Sequence, residues 1–443
     1  MAETQRKVVR SIEWSNWAGT ESTTLARVAT PRSEEELIEE IRKARRRGLR
    51  VKAIGAGHSF TGVAVTDGLQ LRLGGLTGVT TIDATRGEAT VRAGTPLHVL
   101  NEELAQLGLA LPNLGDIDRQ SLAGAIATGT HGTGLRFTGL AGGVRSLRII
   151  LADGSVVDCS PTQAPELFQA ARLGLGALGV ITEVTVEVVP AFLLHADERP
   201  EPLAAVLDSL DDEIESHDHF EFYWYPHTER AQVKRNKRVG PGTEADPLPR
   251  WRQSLDDEIL TNRVWEAACR FATRVPRATK PLMHVAARAQ TARTYTDASY
   301  KVFATPREVR FRESEWAVPR AALRDMLLEV KAWVDSHDET ISYPVECRVA
   351  APDDVWLSTA YERETAYVAV HHYHRRAEGA YFDAVERIAV SHGGRPHWGK
   401  LHSRDADYLH SVYPRFDDFR AVRDRVDPDR LFGNPYLERV LGS

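Results

Sequence analysis

Two hydrophobic periodicities alternate along the first half of the chain. In residues 33–47, SEEELIEEIRKARRR, Leu37, Ile38 and Ile41 recur at helical spacing, Ser33 precedes Glu36 by three, and a basic tail leads into Gly48. This predicts an N-capped amphipathic helix. Leu49 to Ile54 then reads as a strand running into the glycine loop Gly55-Ala56-Gly57-His58-Ser59. Gln70 to Leu73 and Ala89 to Ala93 alternate as strands do, and Leu97 to Leu107 reads as a helix closed by Gly108. Residues 144–157 predict a hairpin around Asp153-Gly154, and 180–189, VITEVTVEVV, a long alternating strand ended by Pro190, where the first domain boundary is placed. Residues 121–134, SLAGAIATGTHGTG, are so rich in glycine and hydroxyls that no regular element is expected without a ligand, and they read as a second backbone nest. The charged, Pro- and Gly-rich segment 236–255 reads as a loop within the second domain.

Length and composition narrow the class. At 443 residues the chain is long enough for two domains, and 42% hydrophobic with 27% charged residues and a net charge of −6 describe an ordinary globular protein with no electrostatic reason to hold nucleic acid. No run approaches a membrane span and the first residues lack the apolar core of a secretory signal, so no membrane role and a cytoplasmic location are expected. Cys159, Cys269 and Cys347 are odd in number and scattered, which fits reduced packing residues.

Five motifs could carry chemistry. The loop at Gly55 to Ser59 sets backbone N–H groups that can gather around a phosphate beside the single imidazole of His58; the alternative is a structural turn. Gly174, Gly176 and Gly179 match GxGxxG but follow a helical stretch and lead into a strand, the reverse of a nicotinamide-binding context. Glu346 and Arg348 flank Cys347 in a β-branched stretch, so they share one strand face, either lining a cavity or forming a solvated ion pair. His397 to Lys400, HWGK, sets an aromatic body beside an ammonium that can polarise a hydroxyl, or else forms a surface turn. The HHYH run at 371–374 invites a zinc reading, yet His371 and His372 face opposite sides of a strand, so no metal is expected.

Taken together, SNWAG, GAGHSFTGVAVTDG, LPNLGDIDRQSLAGAIATGTHGTG, GLGALGVIT, KVFATPREVRF, VECRVA, WLSTAY, RPHWGK and DPDRLFGNPY resemble, in this order, the vanillyl-alcohol-oxidase-type flavoproteins, and among them the aldonolactone oxidases, with alditol oxidases close by. The resemblance implies an α+β, two-domain VAO/PCMH-type fold: an FAD-binding domain at 1–191 completed by about 405–443, and a substrate cap on an antiparallel sheet at 192–404. It implies FAD bound covalently through His58, with Ile54, Gly55, Ala56, Gly57 and Ser59 wrapping the diphosphate. Ser121, Gly124, Thr128 and Gly132 would complete the cradle, and Val180 and Ile181 would lie against the adenosine end. Glu346, Arg348, Lys400 and His371 would serve catalysis beside the flavin, the first three also binding substrate. Gly115 would stand above the reactive flavin edge, where a small residue admits oxygen. Asp116 departs from the serine of alditol oxidases and turns the reading from alditols toward sugar lactones. The implied activity is that of an FAD-dependent oxidoreductase acting on CH–OH donors, converting an aldono-1,4-lactone to an ascorbate-type product. O2 is the expected acceptor, giving H2O2; alternatives are oxidation of a sugar alcohol at a primary carbon and lactone dehydrogenation with another acceptor.

Overall fold

The computed structural model describes residues 12–240, 242–253, 262–305, 308–376 and 379–443. Residues 1–11, part of the 236–255 segment and Pro306-Arg307 of KVFATPREVRF lie outside them.

The N-terminal elements follow the hydrophobic pattern closely. Helix Glu34–Arg46 starts at Ser33, whose Oγ accepts the Glu36 N–H at 3.3 Å, carries acidic residues in its first turn and basic ones in its last, and buries Leu37, Ile41 and Ala44. Strand Val51–Ile54 lies parallel to Leu69–Arg72, which in turn pairs with Arg27–Ala29. A five-stranded antiparallel sheet runs in the order Val156–Cys159, Val144–Ile150, Val180–Glu187, Glu88–Arg92 and Val79–Asp83. The hairpin at Asp153-Gly154 and the strand after GxGxxG are among these elements. Cys159 and Cys347 are buried in hydrophobic clusters, Cys269 is buried too, and burial raises all three thiols.

Two expectations need correction. Residues 122–128 form a helix, Leu122–Thr128, within the segment expected to be irregular. The Ser121 side chain accepts from the Gly124 N–H, Gly129 ends the helix at φ +87°, and Leu122, Ala125 and Ile126 are buried between these caps. The glycines that argued against a helix include its terminator. Within 236–255, strand Arg230–Arg238 runs into the segment, Asp246 exchanges backbone hydrogen bonds with Thr296, and a short helix occupies Arg250–Gln253.

An eight-stranded antiparallel sheet dominates residues 193–396, in the order Arg293–Ala298, Leu193–Pro202, Arg230–Arg238, His219–Trp224, Val345–Ala350, Thr365–Tyr373, Phe311–Pro319 and Arg395–Pro396. One face is apolar: Phe220, Phe222, Cys347, Val349, Val368, Val370, Trp316 and Val318 pack with Leu327 and Val330 of helix Leu323–Ser336 and with Val385 of helix Tyr381–Ser391. Alternation then sends Glu221, Tyr223, Glu346, Arg348, Glu313, Glu315 and His371 to the other face.

The C-terminal helices Ala406–Val412, Phe416–Val426 and Pro435–Leu441 return to the N-terminal part, adding Leu409, Phe416, Phe419 and Val440 to the cluster of Val91 and Leu147. The closing DPDRLFGNPY is a clasp. Asn434 caps the last helix through the Leu437 N–H and donates to the carbonyls of Gly62, Val63 and Val65, while Asp427 accepts the N–H groups of Leu431 and Phe432. That fixes the chain just beyond His58. Among the described residues, no helix is long and apolar enough to cross a membrane.

Candidate active site

Two cavities meet at one imidazole. The larger, about 510 Å³, is lined by Ile54, Gly55, Ala56, Gly57, His58, Ser59, Ser121, Gly124, Thr128 and Ile181, and by the glycines of GxGxxG. The smaller lies between the loops and the polar sheet face and is lined by Gly115, Asp116, Glu346, Arg348, His371 and Lys400. His58, Ser59 and Thr128 line both. Val180 and Gly132, expected at the cofactor, line neither. Val180 is one residue out of phase with Ile181 and is buried with Leu37 and Ile41. Gly132 instead lets the chain pass against the Leu114 carbonyl and the Asn113 side chain, which a Cβ would strike.

The larger cavity is walled by closely approaching backbone. Gly57 adopts φ +71°, and a Cβ on Gly55 would collide with Ser121 Oγ, so the two glycine-bearing segments approach more closely than side chains permit. Among the described residues, the N–H groups of Ala56, Gly57, His58 and Ser59 donate to no protein acceptor, which leaves four donors for an anion. The SNWAG segment holds this loop from outside: the Trp17 N–H donates to the Gly57 carbonyl at 2.8 Å, and the Asn16 side chain donates to the Ser59 carbonyl at 2.9 Å. The Trp17 ring lies 5.5 Å from that of His58. Burial, then the nearby Lys400 ammonium, lowers the His58 pKa and favours the neutral, nucleophilic imidazole.

The smaller cavity holds a dense charge network. The Arg348 guanidinium reaches Glu221 at 2.9 Å, Asp116 at 3.4 Å and Glu346 on its own strand face. Lys234 supports Glu221 from behind at 2.8 Å. Lys400 Nζ lies 2.5 Å from Glu313 and 3.9 Å from Glu315, with the Phe60 ring 5.3 Å away. Burial alone would raise these carboxyls, but the Lys400 ammonium above all holds Glu313 at about 2, and Lys234 and Arg348 hold Glu221 at about 2. Burial likewise opposes the Lys400 charge, yet Glu313 and Glu315 outweigh it and raise its pKa, so this lysine stays an ammonium.

His371 and His372 do face opposite sides: His371 lines the cavity, while His372 Nε2 lies 3.1 Å from Glu339. A different trio, His131, Glu315 and His397, is the group among the described residues whose donor atoms come within 4.8 Å of one another. Its contacts are those of hydrogen bonds. His131 Nδ1 donates to the Gly132 carbonyl and Nε2 meets Glu315, both at 2.9 Å, and its ring stacks 3.6 Å from Tyr367.

The sequence reading missed Glu221, Lys234, His131, Glu313 and Glu315. The signal lay in HFEFYW and FRESEWAVP, where carboxylates interrupt strands otherwise apolar enough to be buried. A buried carboxylate needs a partner, and here the partners are the cations that the sequence did single out.

Comparison with known proteins agrees with this construction. Residues 25–160 match the FAD binding domain family, and residues 184–440 match the D-arabinono-1,4-lactone oxidase family. The L-gulono-1,4-lactone dehydrogenase of Mycobacterium tuberculosis is 43% identical over 97% of this chain and 99% of its own. The L-gulonolactone oxidase of Mus musculus is 32% identical over 98% and 99%, and the alditol oxidase of a Streptomyces species 30% identical over 96% and 98%. A solved solvent-stable cholesterol oxidase superposes with a TM-score of 0.83 over 98% of both chains at 19% identity, which establishes the shared fold. With a glycine-lined cavity in its N-terminal part and a charged wall on its large antiparallel sheet, the chain belongs to the D-arabinono-1,4-lactone oxidase family of FAD-binding oxidoreductases.

Proposed function

We propose that this protein oxidises a carbinol of an aldono-1,4-lactone of the L-gulono, L-galactono or D-arabinono type, using FAD joined covalently to His58. The observation that carries the reading is the position of His58 at the junction of the two cavities, with Arg348 and Lys400 across the smaller one. A cofactor whose diphosphate lies along Ile54 to Ser59 and opposite Ser121 and Gly124 would bring its ring to that junction. FAD bound there supplies the electron sink for a hydride leaving the carbinol carbon. The protein supplies position and charge. Arg348 is clamped by three carboxylates and Lys400 by two, so both cations stand fixed where negative charge develops on the substrate oxygen, without reorganising. Glu346 and Asp116 would orient ring and side-chain hydroxyls, and the FAD-binding part would comprise residues 1–191 with about 405–443.

Gly115 supports O2 as acceptor, with H2O2 as product, because it borders the same cavity and brings no side chain into it. Anaerobic stopped-flow measurement tests the substrate: the flavin absorbance should bleach with aldonolactones and persist with xylitol or sorbitol. Bleaching by the polyols alone would replace the lactone reading with the alditol one.

A further inference from the structure

We infer that His371 takes the hydroxyl proton of the substrate and that Glu313 is the positioning residue that holds the resulting imidazolium. The inference rests on the proposed carbinol oxidation, which must release one proton for each hydride. The C–H hydrogen leaves with its electron pair to the oxidised cofactor, the O–H bonding pair becomes the second bond of the carbonyl, and the proton needs an acceptor in the cavity.

The hydrogen bonds sort the candidates. Arg348 is a guanidinium held by carboxylates, and Lys400 is kept protonated by Glu313 and Glu315, so neither takes a proton. Both nitrogens of His131 are engaged at 2.9 Å, by the Gly132 carbonyl and the Glu315 carboxylate, so neither is open to a substrate proton. His397 accepts the Gly399 N–H on Nδ1 at 3.1 Å, which puts its own proton on Nε2 and leaves it a donor toward its surroundings. His58 is committed to the cofactor. His371 is different. Its Nδ1 lies 3.2 Å from the Pro344 carbonyl, which can only accept, so Nδ1 carries the proton and Nε2 keeps its lone pair. Nε2 lies 3.6 Å from Glu313, across the sheet pairing of Glu313 with His371 and beyond hydrogen-bond length, unlike His131 Nε2 at 2.9 Å from Glu315.

The surroundings suit a charge that appears and then leaves. Glu313 faces Nε2 from the neighbouring strand and Lys400 stands beyond that carboxylate. Tyr343 and Phe311 cover the imidazole at 6.1 and 5.1 Å between ring centres, and burial keeps the tyrosine phenol neutral. Glu346 and Arg348 are paired to each other on the strand at the opposite side. An imidazolium at His371 therefore has one carboxylate to stabilise it, shared with Lys400.

The test is the pH dependence of anaerobic flavin reduction by whichever donor bleaches the cofactor, lactone or alditol, so failure of the lactone reading does not decide it. Wild-type reduction should rise with pH along a single limb. His371→Gln should lose that limb and slow reduction by about 10²- to 10⁴-fold. Glu313→Gln should move the limb toward acid and slow the plateau, with substrate affinity nearly unchanged, and Glu313→Asp should recover much of both. If Glu313→Gln fails to accumulate as flavinylated protein, the His371→Gln profile and Glu313→Asp decide the matter. A His371→Gln enzyme that keeps the wild-type limb, or a Glu313→Gln enzyme with an unmoved limb and full rate, overturns the inference.

Discussion

Replacing Lys400 with methionine should separate the two tasks of this ammonium. Glu313 is buried and held at about 2 against an ordinary 4.5, and Lys400 is the largest favourable contributor. The partners of Glu313 therefore stabilise its charged form by more than burial destabilises it. The folded pKa lies below the unfolded one, so that stabilisation is complete above 4.5 and is lost as pH falls toward 2. Without Lys400, burial dominates and the carboxyl moves up. The folded variant then takes a proton at a pH where the unfolded chain does not. Chemical denaturation should show Lys400→Met less stable than wild type by about 3 kcal/mol at pH 7, in the range for breaking a buried pair. The gap should narrow between pH 7 and pH 5. Adding Glu313→Gln should recover most of the stability and none of the catalysis, since flavin reduction depends on the cation itself and should stay about 10²- to 10³-fold slow. A Lys400→Met enzyme that reduces its flavin at the wild-type rate would remove Lys400 from the chemistry. A stability gap that is flat with pH would refute the account of the ion pair.

Three further substitutions probe the cofactor side. Gly115→Ala should slow reoxidation by O2 while leaving reduction nearly intact, because a Cβ there lies 3.1 Å from the His131 carbonyl and 3.4 Å from the Thr130 methyl, tight but accommodated by small shifts; equal oxygen rates would exclude Gly115 as a gate. His58→Ala should leave flavin in the supernatant after acid precipitation where wild type keeps it in the pellet, and colour in both pellets would refute the linkage. Asn434→Ala strips a side-chain donor from three carbonyls and a cap from the last helix. It should destabilise the protein by about 1–3 kcal/mol in denaturant titration, with the reduction rate of the folded fraction unchanged.

The glycine-lined cavity was legible in the sequence because its signals are local. Glycine spacing, the cap at Ser33 and the strand into Ile54 are each encoded within a few residues, and the loop at His58 follows from them. The helix at Leu122–Thr128 was hidden for the same reason: its evidence is a serine cap and a left-handed glycine, and composition weighed against both. The substrate wall was half legible. Glu346 and Arg348 declare themselves by their spacing, but their partners come from other strands, Glu221 127 residues before Arg348 and Glu313 87 before Lys400. Sheet order decides those meetings, and nothing local in the chain announces that Val345–Ala350 lies between His219–Trp224 and Thr365–Tyr373. Val180 shows the limit in the other direction. A motif located the segment, and one step of strand phase decided that Ile181 rather than Val180 reaches the cavity.

The construction of the wall explains how a protein keeps so many charges out of water. Asp116, Glu221, Glu313, Glu315 and Glu346 face three fixed cations, Lys234, Arg348 and Lys400, and each cation touches at least one of these carboxylates. Isolated, any one of these groups would change its protonation state on burial rather than stay ionised. The sheet sets most of the spacing: period 2 gathers Glu221, Lys234, Glu313, Glu315, Glu346 and Arg348 on one face, Asp116 and Lys400 join them from loops, and the apolar face behind, packed on two long helices, prevents the strands from spreading to relieve repulsion. Arg348 and Lys400 are each shared between carboxylates and Lys234 is paired with Glu221, so the wall has no spare positive charge with which to neutralise an anionic substrate. It has many oriented acceptors and two shared cations for hydroxyl groups. A neutral polyhydroxylated ring satisfies such a surface, and an aldonolactone is one.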